Sequence, residues 1–196
     1  IEFTLFNKLT GSIDYYNRKT TDIIMNVSVP KEFALGAYKD NVGAMKNSGI
    51  EVQLAYNDTW NDWTFGVSGN FAYNKNTIEN LGGVDRMADG SFMREVVSPI
   101  NSWFVYRTDG FFQSDEEAAA WQAKYSAMDG YPFGQDFKAG DLRYVDANGD
   151  GKISADDREL YRTKDPKFTF GFNINVGYKN VDLSMNFNGA AGVGYA

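Results

Sequence analysis

Hydrophobic and polar residues alternate over several stretches of the chain. In "WTFGVSGNFAYN" (63–74), Trp, Phe, Val and Tyr recur at every second position, with Gly69 filling one of these positions and mainly Thr, Ser, Gly and Asn between them. Three further stretches repeat the alternation: "IEVQLAY" (50–56), "FTFGFNINVGY" (168–178) and "VDLSMNFNG" (181–189). A period of two predicts β-strands. Weaker copies at 1–6 and 9–17 bring the predicted strands to six.

The composition of the two strand faces favours a membrane barrel. The polar face carries Ser, Thr, Asn and Gly with almost no charge, which suits a crowded barrel interior better than a solvent-facing sheet. Aromatic residues bracket the strands, since Tyr73 follows Trp63 by ten residues and Tyr178 follows Phe168 by ten. Ten residues tilted by ~40° cover ~25 Å, the height of the apolar band of an outer-membrane barrel. Alternation alone also fits a soluble sandwich.

Short links and long connections alternate along the chain. Residues 179–180 indicate a tight hairpin, and 57–62 form another short link. Long connections are predicted over about 20–45 and over 77–166. Outer-membrane barrels place short turns on the periplasmic side and long loops outside. We therefore expect 77–166 to be a long extracellular loop.

One helix is predicted inside this loop, over 115–126. In "SDEEAAAWQAKYSAM" (114–128), Ser114 with Glu117 three residues later forms a capping-box pattern, and the alanine run favours helix. Gly130 is a suitable stop. Nothing in the segment has site chemistry, so the expected role is packing.

The segment "VDANGDGKISADD" (145–157) has the spacing of a calcium-binding loop. Gly151 stands where such a loop turns sharply, and Ile153 is placed to anchor the loop in an apolar layer. The predicted ligands within 146–157 are Asp146, Asn148, Asp150, Lys152 through its backbone carbonyl, Ser154 and Asp157. A structural calcium ion is the cofactor this spacing suggests.

Two departures separate this loop from an EF-hand. The last ligand position is Asp157 instead of a longer glutamate, and the preceding "KAGDLRYV" is strand-like or irregular rather than helical. A signalling hand that opens a helix pair is therefore not expected. The alternative to calcium is an Asx-turn loop whose carboxylates cap backbone amides.

Composition excludes several classes of chemistry. The chain has no Cys and no His, and its net charge is −7, which argues against thiol chemistry, a histidine base and a nucleic-acid partner. No run of 18 apolar residues exists. Two of the loop carboxylates could form a glycosidase pair, and the candidates are Asp40, Glu51, Asp85, Asp89 and Glu95. Solvated surface charge explains them better, so we predict no enzyme and no catalytic residue.

Four blocks in this order resemble the C-terminal part of SusC/RagA-type TonB-dependent outer-membrane transporters of Bacteroidota. The blocks are "GSIDYYNRKTTDII" (11–24), "NVGAMKNSGIEVQL" (41–54), "GDLRYVDANGDGKISADDRELY" (140–161) and "PKFTFGFNINVGYKNVDLSMNFNGAAG" (166–192). "NSWFVYRTDGFFQSDEEAAAW" (101–121) is similar to the family's connecting segment. The resemblance covers nearly the whole chain, 1–196, and its specificity lies in the block order.

The resemblance implies an all-β fold: about six antiparallel strands of a parent 22-stranded transmembrane barrel, incomplete at both ends. It implies a multi-pass outer-membrane protein that imports glycans or peptides. The implied partners are a SusD-like surface lipoprotein, outer-membrane lipid and the TonB complex, which would be contacted by an N-terminal region that is absent here. We expect the acid-rich loop to contact the lipoprotein.

A soluble calcium-stabilised β-sandwich that binds carbohydrate is the alternative function. In that interpretation, exposed aromatic side chains would stack on sugar rings, and the candidates are Trp103, Phe104, Tyr106 and Trp121. Rim or core packing is the competing explanation for these residues.

Overall fold

The computed structural model describes residues 1–27, 38–134 and 136–195. Its residues form two compact units. The sheet unit is Ile1–Asp89, Met93–Ser102 and Arg162–Tyr195, and the loop unit is Gly90–Phe92 and Trp103–Tyr161. The elements in chain order are β1 (Glu2–Leu5), β2 (Leu9–Val27), β3 (Tyr38–Trp60), β4 (Trp63–Leu81), β5 (Arg86–Asp89), β6 (Phe92–Glu95), β7 (Ser102–Tyr106), β8 (Thr108–Phe111), α1 (Asp115–Tyr125), β9 (Leu142–Tyr144), a 3₁₀ helix (Ala155–Asp157), β10 (Arg158–Thr163), β11 (Phe168–Tyr178) and β12 (Val181–Ala191).

The main sheet has six strands in the order β1-β2-β3-β4-β11-β12, and every neighbouring pair is antiparallel. These are the six strands that the alternating pattern predicts. Two smaller sheets have the orders β10-β7-β6-β5 and β8-β9. The fold is therefore all-β with antiparallel pairing and one short helix, as expected.

Several strands are longer than predicted. β2 runs to Val27 and β3 begins at Tyr38, so the long connection expected over 20–45 was wrong in its extent. Residues 28–37 lie outside the described part. The short link expected over 57–62 is a turn of residues 61–62 only, since β3 reaches Trp60 and β4 starts at Trp63. β4 continues to Leu81, past the predicted loop start at 77.

The pairing register collects the apolar residues on one face of the main sheet. In one row across it, Leu54 pairs with Gly69, Gly69 with Phe172, and Phe172 with Phe187. The rings of Phe172 and Phe187 stack with centroids 4.3 Å apart. Leu54 is 44% exposed, Phe172 40% and Phe187 45%, so this row is not packed into a core.

Aromatic residues mark both ends of this apolar face, as the ten-residue spacing predicted. Trp63 pairs with Tyr178 at one end, with ring centroids 4.5 Å apart. Tyr73 pairs with Phe168 at the other end, with centroids 5.1 Å apart. The two aromatic pairs bound a band of apolar side chains that crosses β4 and β11.

The predicted helix is α1. The Ser114 hydroxyl accepts a hydrogen bond from the Glu117 backbone N–H at 3.2 Å, so serine caps the helix as expected. The Glu117 carboxylate accepts from the backbone N–H of Gln113 at 2.7 Å, one residue before the position of a standard capping box. The helix ends at Tyr125, and no helix among the described residues is long and apolar enough to cross a membrane.

The loop unit has a core of its own. Phe112, Ala118 and Phe137 are buried, and four partly buried aromatic residues pack against them. These four are Trp121, Tyr131, Phe133 and Tyr144. Burying aromatic side chains is the largest apolar contribution available to so small a unit. α1 therefore has the packing role that the sequence predicts.

Candidate functional site

The polar face of the main sheet lines a groove of about 560 Å³. Small uncharged side chains dominate its lining: Thr10, Ser12, Gln53, Ser68, Asn70 and Asn173, with Glu2 as the one acid. The Asn173 amide donates to the Ser68 hydroxyl at 3.2 Å, and the Ser184 hydroxyl on the same face donates to the Asn175 carbonyl at 2.8 Å. This face offers hydrogen bonds in both directions to a polar occupant.

Gly49 lies on this polar face in the middle of β3, opposite Tyr16 and Asn74. A Cβ at Gly49 would lie 2.6 Å from the Tyr16 hydroxyl and 2.0 Å from the Tyr73 carbonyl oxygen. Because Gly49 has no side chain, the Tyr16 ring can cross the strand. The Tyr16 hydroxyl then donates to the side-chain Oδ1 of Asn74 at 3.0 Å. Gly49 therefore lies within a continuous strand, where a residue without a side chain leaves room for the Tyr16 ring.

The Asp-rich loop is organised by hydrogen bonds to its own backbone. The Asp146 carboxylate accepts from the backbone N–H groups of Gly149 and Gly151, each at 2.7 Å. The Asn148 carbonyl accepts from Asp150 N–H at 2.9 Å, and the Asp150 carboxylate accepts from Lys152 N–H at 2.8 Å. Gly149 and Gly151 have φ of 76° and 85°, which only glycine adopts without strain.

The buried Asp157 carboxylate links the beginning and the end of the loop through hydrogen bonds. It is 0% exposed, and its carboxylate accepts from Ala147 N–H at 2.8 Å and from Ser154 N–H at 2.6 Å. The Ser154 hydroxyl accepts from Asp156 N–H at 3.1 Å, which caps the 3₁₀ helix. Ile153 is also 0% exposed, as expected for an apolar anchor. The carboxylate thus joins both ends of the loop.

The side chains of this loop carry hard oxygen atoms, which are the ligands that calcium requires. Their oxygens accept from backbone amides in this structure, which is the arrangement of the Asx-turn alternative. Within the part of the chain that the structure describes, no three Asp or Glu side chains are grouped to hold a metal ion. Calcium at 146–157 stays a prediction.

An ion-pair cluster that sequence reasoning missed joins three elements of the loop unit. The Arg143 guanidinium on β9 donates to Asp109 on β8 at 2.6 Å and to the Glu117 carboxylate on α1. The Gln113 N–H and Arg143 together hold the pKa of Glu117 below its ordinary value, while the two carboxylates raise the pKa of Arg143. Only the position of Glu117 at a helix start was visible in the sequence.

The carboxylates considered as a glycosidase pair occupy separate places. Asp40 lies near the start of β3 and Glu51 lies on the polar face of the same strand, eleven residues on. Asp85 precedes β5, and Glu95 ends β6. The Asp89 side chain lies outside the described part of the structure.

The aromatic candidates for sugar stacking are partly buried, so the expectation of exposed rings was wrong. The Trp103 ring packs on Phe92 with centroids 4.5 Å apart, and Arg158 covers Phe104 at 4.6 Å from its ring centroid. Tyr106 and Trp121 belong to the aromatic packing of the loop unit. These residues are packing residues, which removes the main support for a carbohydrate-binding module.

An antiparallel sheet with one exposed apolar face, one small-polar face and aromatic rims defines a class, the wall of an outer-membrane β-barrel. Residues 1–190 match the family described as "TonB dependent receptor-like, beta-barrel". The chain belongs to this family of outer-membrane proteins, and its relatives are receptors and transporters.

Two relatives illustrate the similarity. TonB-dependent receptor P26 of Formosa agariphila is 29% identical over 204 residues, covering 98% of this chain and 19% of that protein. TonB-dependent receptor SusC of Bacteroides thetaiotaomicron is 28% identical over 193 residues, covering 95% of this chain and 18% of SusC.

The solved RagAB peptide transporter has the same fold over 95% of this chain and 19% of its own, with a TM-score of 0.68 and 26% identity. The chain therefore spans about a fifth of the length of the relatives that it matches.

Proposed function

We propose that the parent protein is a TonB-dependent outer-membrane transporter that imports glycans or peptides together with a SusD-like surface lipoprotein. In this proposal, the six-stranded sheet is part of the wall of a 22-stranded barrel, and 77–166 holds a long extracellular loop. Similarity to a protein described as a peptide importer supports the peptide class. The glycan class follows from the resemblance to SusC/RagA-type transporters.

The observation that carries the proposal is the exposed apolar face of the main sheet. In water, a row such as Leu54, Phe172 and Phe187 would form a large unprotected patch, which soluble proteins avoid. In a bilayer the same face is in its preferred solvent, and the aromatic pairs at its two ends lie at the headgroups. The small-polar face then lines the lumen.

Transport is tested with the full-length parent protein in its own outer membrane. Uptake of labelled oligosaccharides and of labelled peptides is compared before and after the proton-motive force is collapsed, with a strain lacking the protein as control. We expect uptake of one substrate class that requires both the protein and the force. Equal uptake in all three conditions would contradict the transporter proposal.

The lid contact is a separate part of the proposal. Residues 115–121 on α1 are expected to approach the SusD-like lipoprotein, because α1 belongs to the long loop. Outer-membrane barrels place their long loops on the extracellular side and their short turns on the periplasmic side. A photoreactive residue at Glu116 should crosslink to the lipoprotein, whereas one at Lys179, in the turn between β11 and β12, should not. Crosslinks from both positions, or from neither, would count against the assignment.

For the loop 146–157 we propose a structural calcium ion that pins the loop. Its oxygen ligands suit a hard cation, and its two buried residues, Ile153 and Asp157, supply a rigid base. Calorimetric titration of the full-length protein with calcium, before and after chelation, tests this directly. Absence of binding heat at millimolar calcium would leave amide capping as the only role of these carboxylates.

A further inference from the structure

Lysine side chains collect on the outward face of the sheet just past one aromatic rim. Outward positions continue from the row of Tyr15, Ile50 and Tyr73 to Lys75, which pairs with Ser48. One row further, Lys19 and Lys46 are direct cross-strand partners. The chain carries a net charge of −7, so this local concentration of cations opposes its overall charge.

The cations are only partly neutralised by the protein. The Lys19 ammonium forms an ion pair with Glu79 at 2.7 Å. Within the described residues, Lys46 and Lys75 form no such pair. Like charges directly opposite one another destabilise a sheet. Glu79 offsets the charge of Lys19, so Lys46 is the member of this pair that has no counter-ion among the described residues.

A recess of about 300 Å³ adjoins Lys75 at the same rim. Tyr73 and Lys75 line it together with Lys167, and Asn76, Thr77 and Thr163 add neutral polar groups. The one acid in its lining, Asp165, accepts a hydrogen bond from the Asn101 amide at 2.9 Å. The Asn76 amide already donates to Asn47, and the Thr163 hydroxyl donates to the Ile100 carbonyl. The recess therefore offers a ligand chiefly its aromatic wall and the ammonium groups of Lys75 and Lys167.

Lys75 lies at the height of a headgroup layer, and Lys46 lies just outside that layer. Lys75 lies two residues past Tyr73, and Lys46 lies four residues past Ile50. With a rise of ~3.3 Å and a tilt of ~40°, these positions lie ~5 and ~10 Å beyond the aromatic row. The polar layer of a bilayer is roughly 5–7 Å thick on each side, and lysine stems bend back towards it.

We propose that Lys46 and Lys75, with the adjoining recess, bind the phosphate groups of outer-leaflet lipid. The rim belongs to the side of the long connections, which is the extracellular side of a barrel. The inference rests on the proposed barrel, and it adds a lipid ligand and a binding site to it. Bound lipid phosphate would supply the counter-charge that Lys46 and Lys75 lack and hold this rim at a defined depth.

The test uses the full-length protein in detergent, with native mass spectrometry of bound phosphorylated lipid A as the measurement. The variant Lys46→Gln/Lys75→Gln is compared with Lys138→Gln/Lys179→Gln, which removes the same charge from the loop unit and from the opposite turn. Two lysines near an anionic surface should weaken binding by roughly tenfold to thirtyfold. The control pair should bind like the wild type, and Lys46→Arg/Lys75→Arg should retain binding.

Two further arms identify the source of the phosphate. Lipid A stripped of its phosphates should bind the wild type and the Gln variant alike. Inorganic phosphate at millimolar concentration should not displace the lipid. Equal binding of phosphorylated lipid A by both Gln pairs, or complete displacement by inorganic phosphate, would overturn the proposal.

Heat-modifiable migration on gels shows whether each variant has folded, so a folding defect is not mistaken for lost binding. A wild-type protein without such migration would refute the barrel itself. A heat-modifiable Lys46→Gln/Lys75→Gln variant that retains full lipid binding would refute only the lysine site.

Discussion

The two units of this chain differ in the exposure of their phenylalanine side chains. Phe172 in the main sheet is 40% exposed, and Phe112 in the loop unit is 2% exposed. In the proposed barrel, the sheet meets its hydrogen-bonding needs through paired strands and turns its exposed apolar face to lipid. In the same proposal the loop unit is in water, and it buries Phe112, Ala118 and Phe137 in a core of its own. The position of an aromatic side chain thus reports which solvent its unit is built for.

The largest expected effect comes from removing the core of the loop unit. Phe112→Ala should destabilise that unit by about 3–5 kcal/mol, because it deletes a buried ring and leaves a cavity among Trp121 and Phe137. Hydrogen exchange should show lost protection in α1 and β9, while the full-length protein keeps its heat-modifiable migration. The control is Phe111→Ala, since Phe111 is 56% exposed. Equal loss in both variants would show that the cluster is not a core.

A charge in the apolar band tests the sheet. Phe172→Arg should cost about 2–4 kcal/mol, the penalty for arginine at the middle of a lipid-facing surface. Asn186→Arg places the same charge on the opposite face of the neighbouring strand and should cost less. The measurement is the folded fraction of full-length protein recovered from outer membranes. A larger loss for Asn186→Arg would reverse the assignment of the two faces.

The sequence predicted the sheet where it faces two different solvents. In the proposed barrel, lipid selects apolar residues on one side of the band and the lumen selects polar residues on the other, so alternation is visible. Beyond the rim this alternation is lost, and the segments at 18–22 and 38–47 belong to strands without showing a period of two. That is why β2, β3 and β4 are longer than predicted.

The loop unit was harder to predict. Tyr131, Phe133 and Phe137 lie in irregular chain, where no helical or strand period marks buried positions, and their packing depends on contacts with distant residues. The contact of Arg143 with Asp109 and Glu117 is equally non-local. The helix and the Asp-rich loop were visible because capping and turn residues act over a few positions.

A smaller effect is expected from the buried carboxylate of the Asp-rich loop. Asp157→Asn should destabilise the loop by about 1–3 kcal/mol, because the amide loses the charge that Ala147 N–H and Ser154 N–H donate to. The loss should persist in the presence of a chelator, since these bonds need no metal. Asp156→Asn is the exposed control. The measurement is hydrogen exchange of the loop amides. If Asp157→Asn exchanged at the wild-type rate, the carboxylate would not contribute to the stability of the loop.

The smallest effect is a pH dependence centred on Glu117. The folded-state pKa of this group is lowered, so its contribution is present above the ordinary glutamate pKa and is lost as pH falls through the folded value. Acidification from pH 7 to 3 should loosen the start of α1 in the wild type. Glu117→Gln should start looser and change less over that range. Proteolysis near Gln113 at each pH, with Glu159→Gln as control, measures the difference; parallel curves would contradict it.

The neighbouring strands β4 and β11 are joined by a long excursion, yet they are hydrogen-bonded to each other over Trp63–Tyr73 and Phe168–Tyr178. The chain leaves the main sheet at the end of β4 and returns to it as the neighbouring strand, β11. Whole segments between these two strands are therefore open to replacement without shifting the register of either. Such a wall can be given a new outer surface by grafting, while the part that meets the membrane is kept.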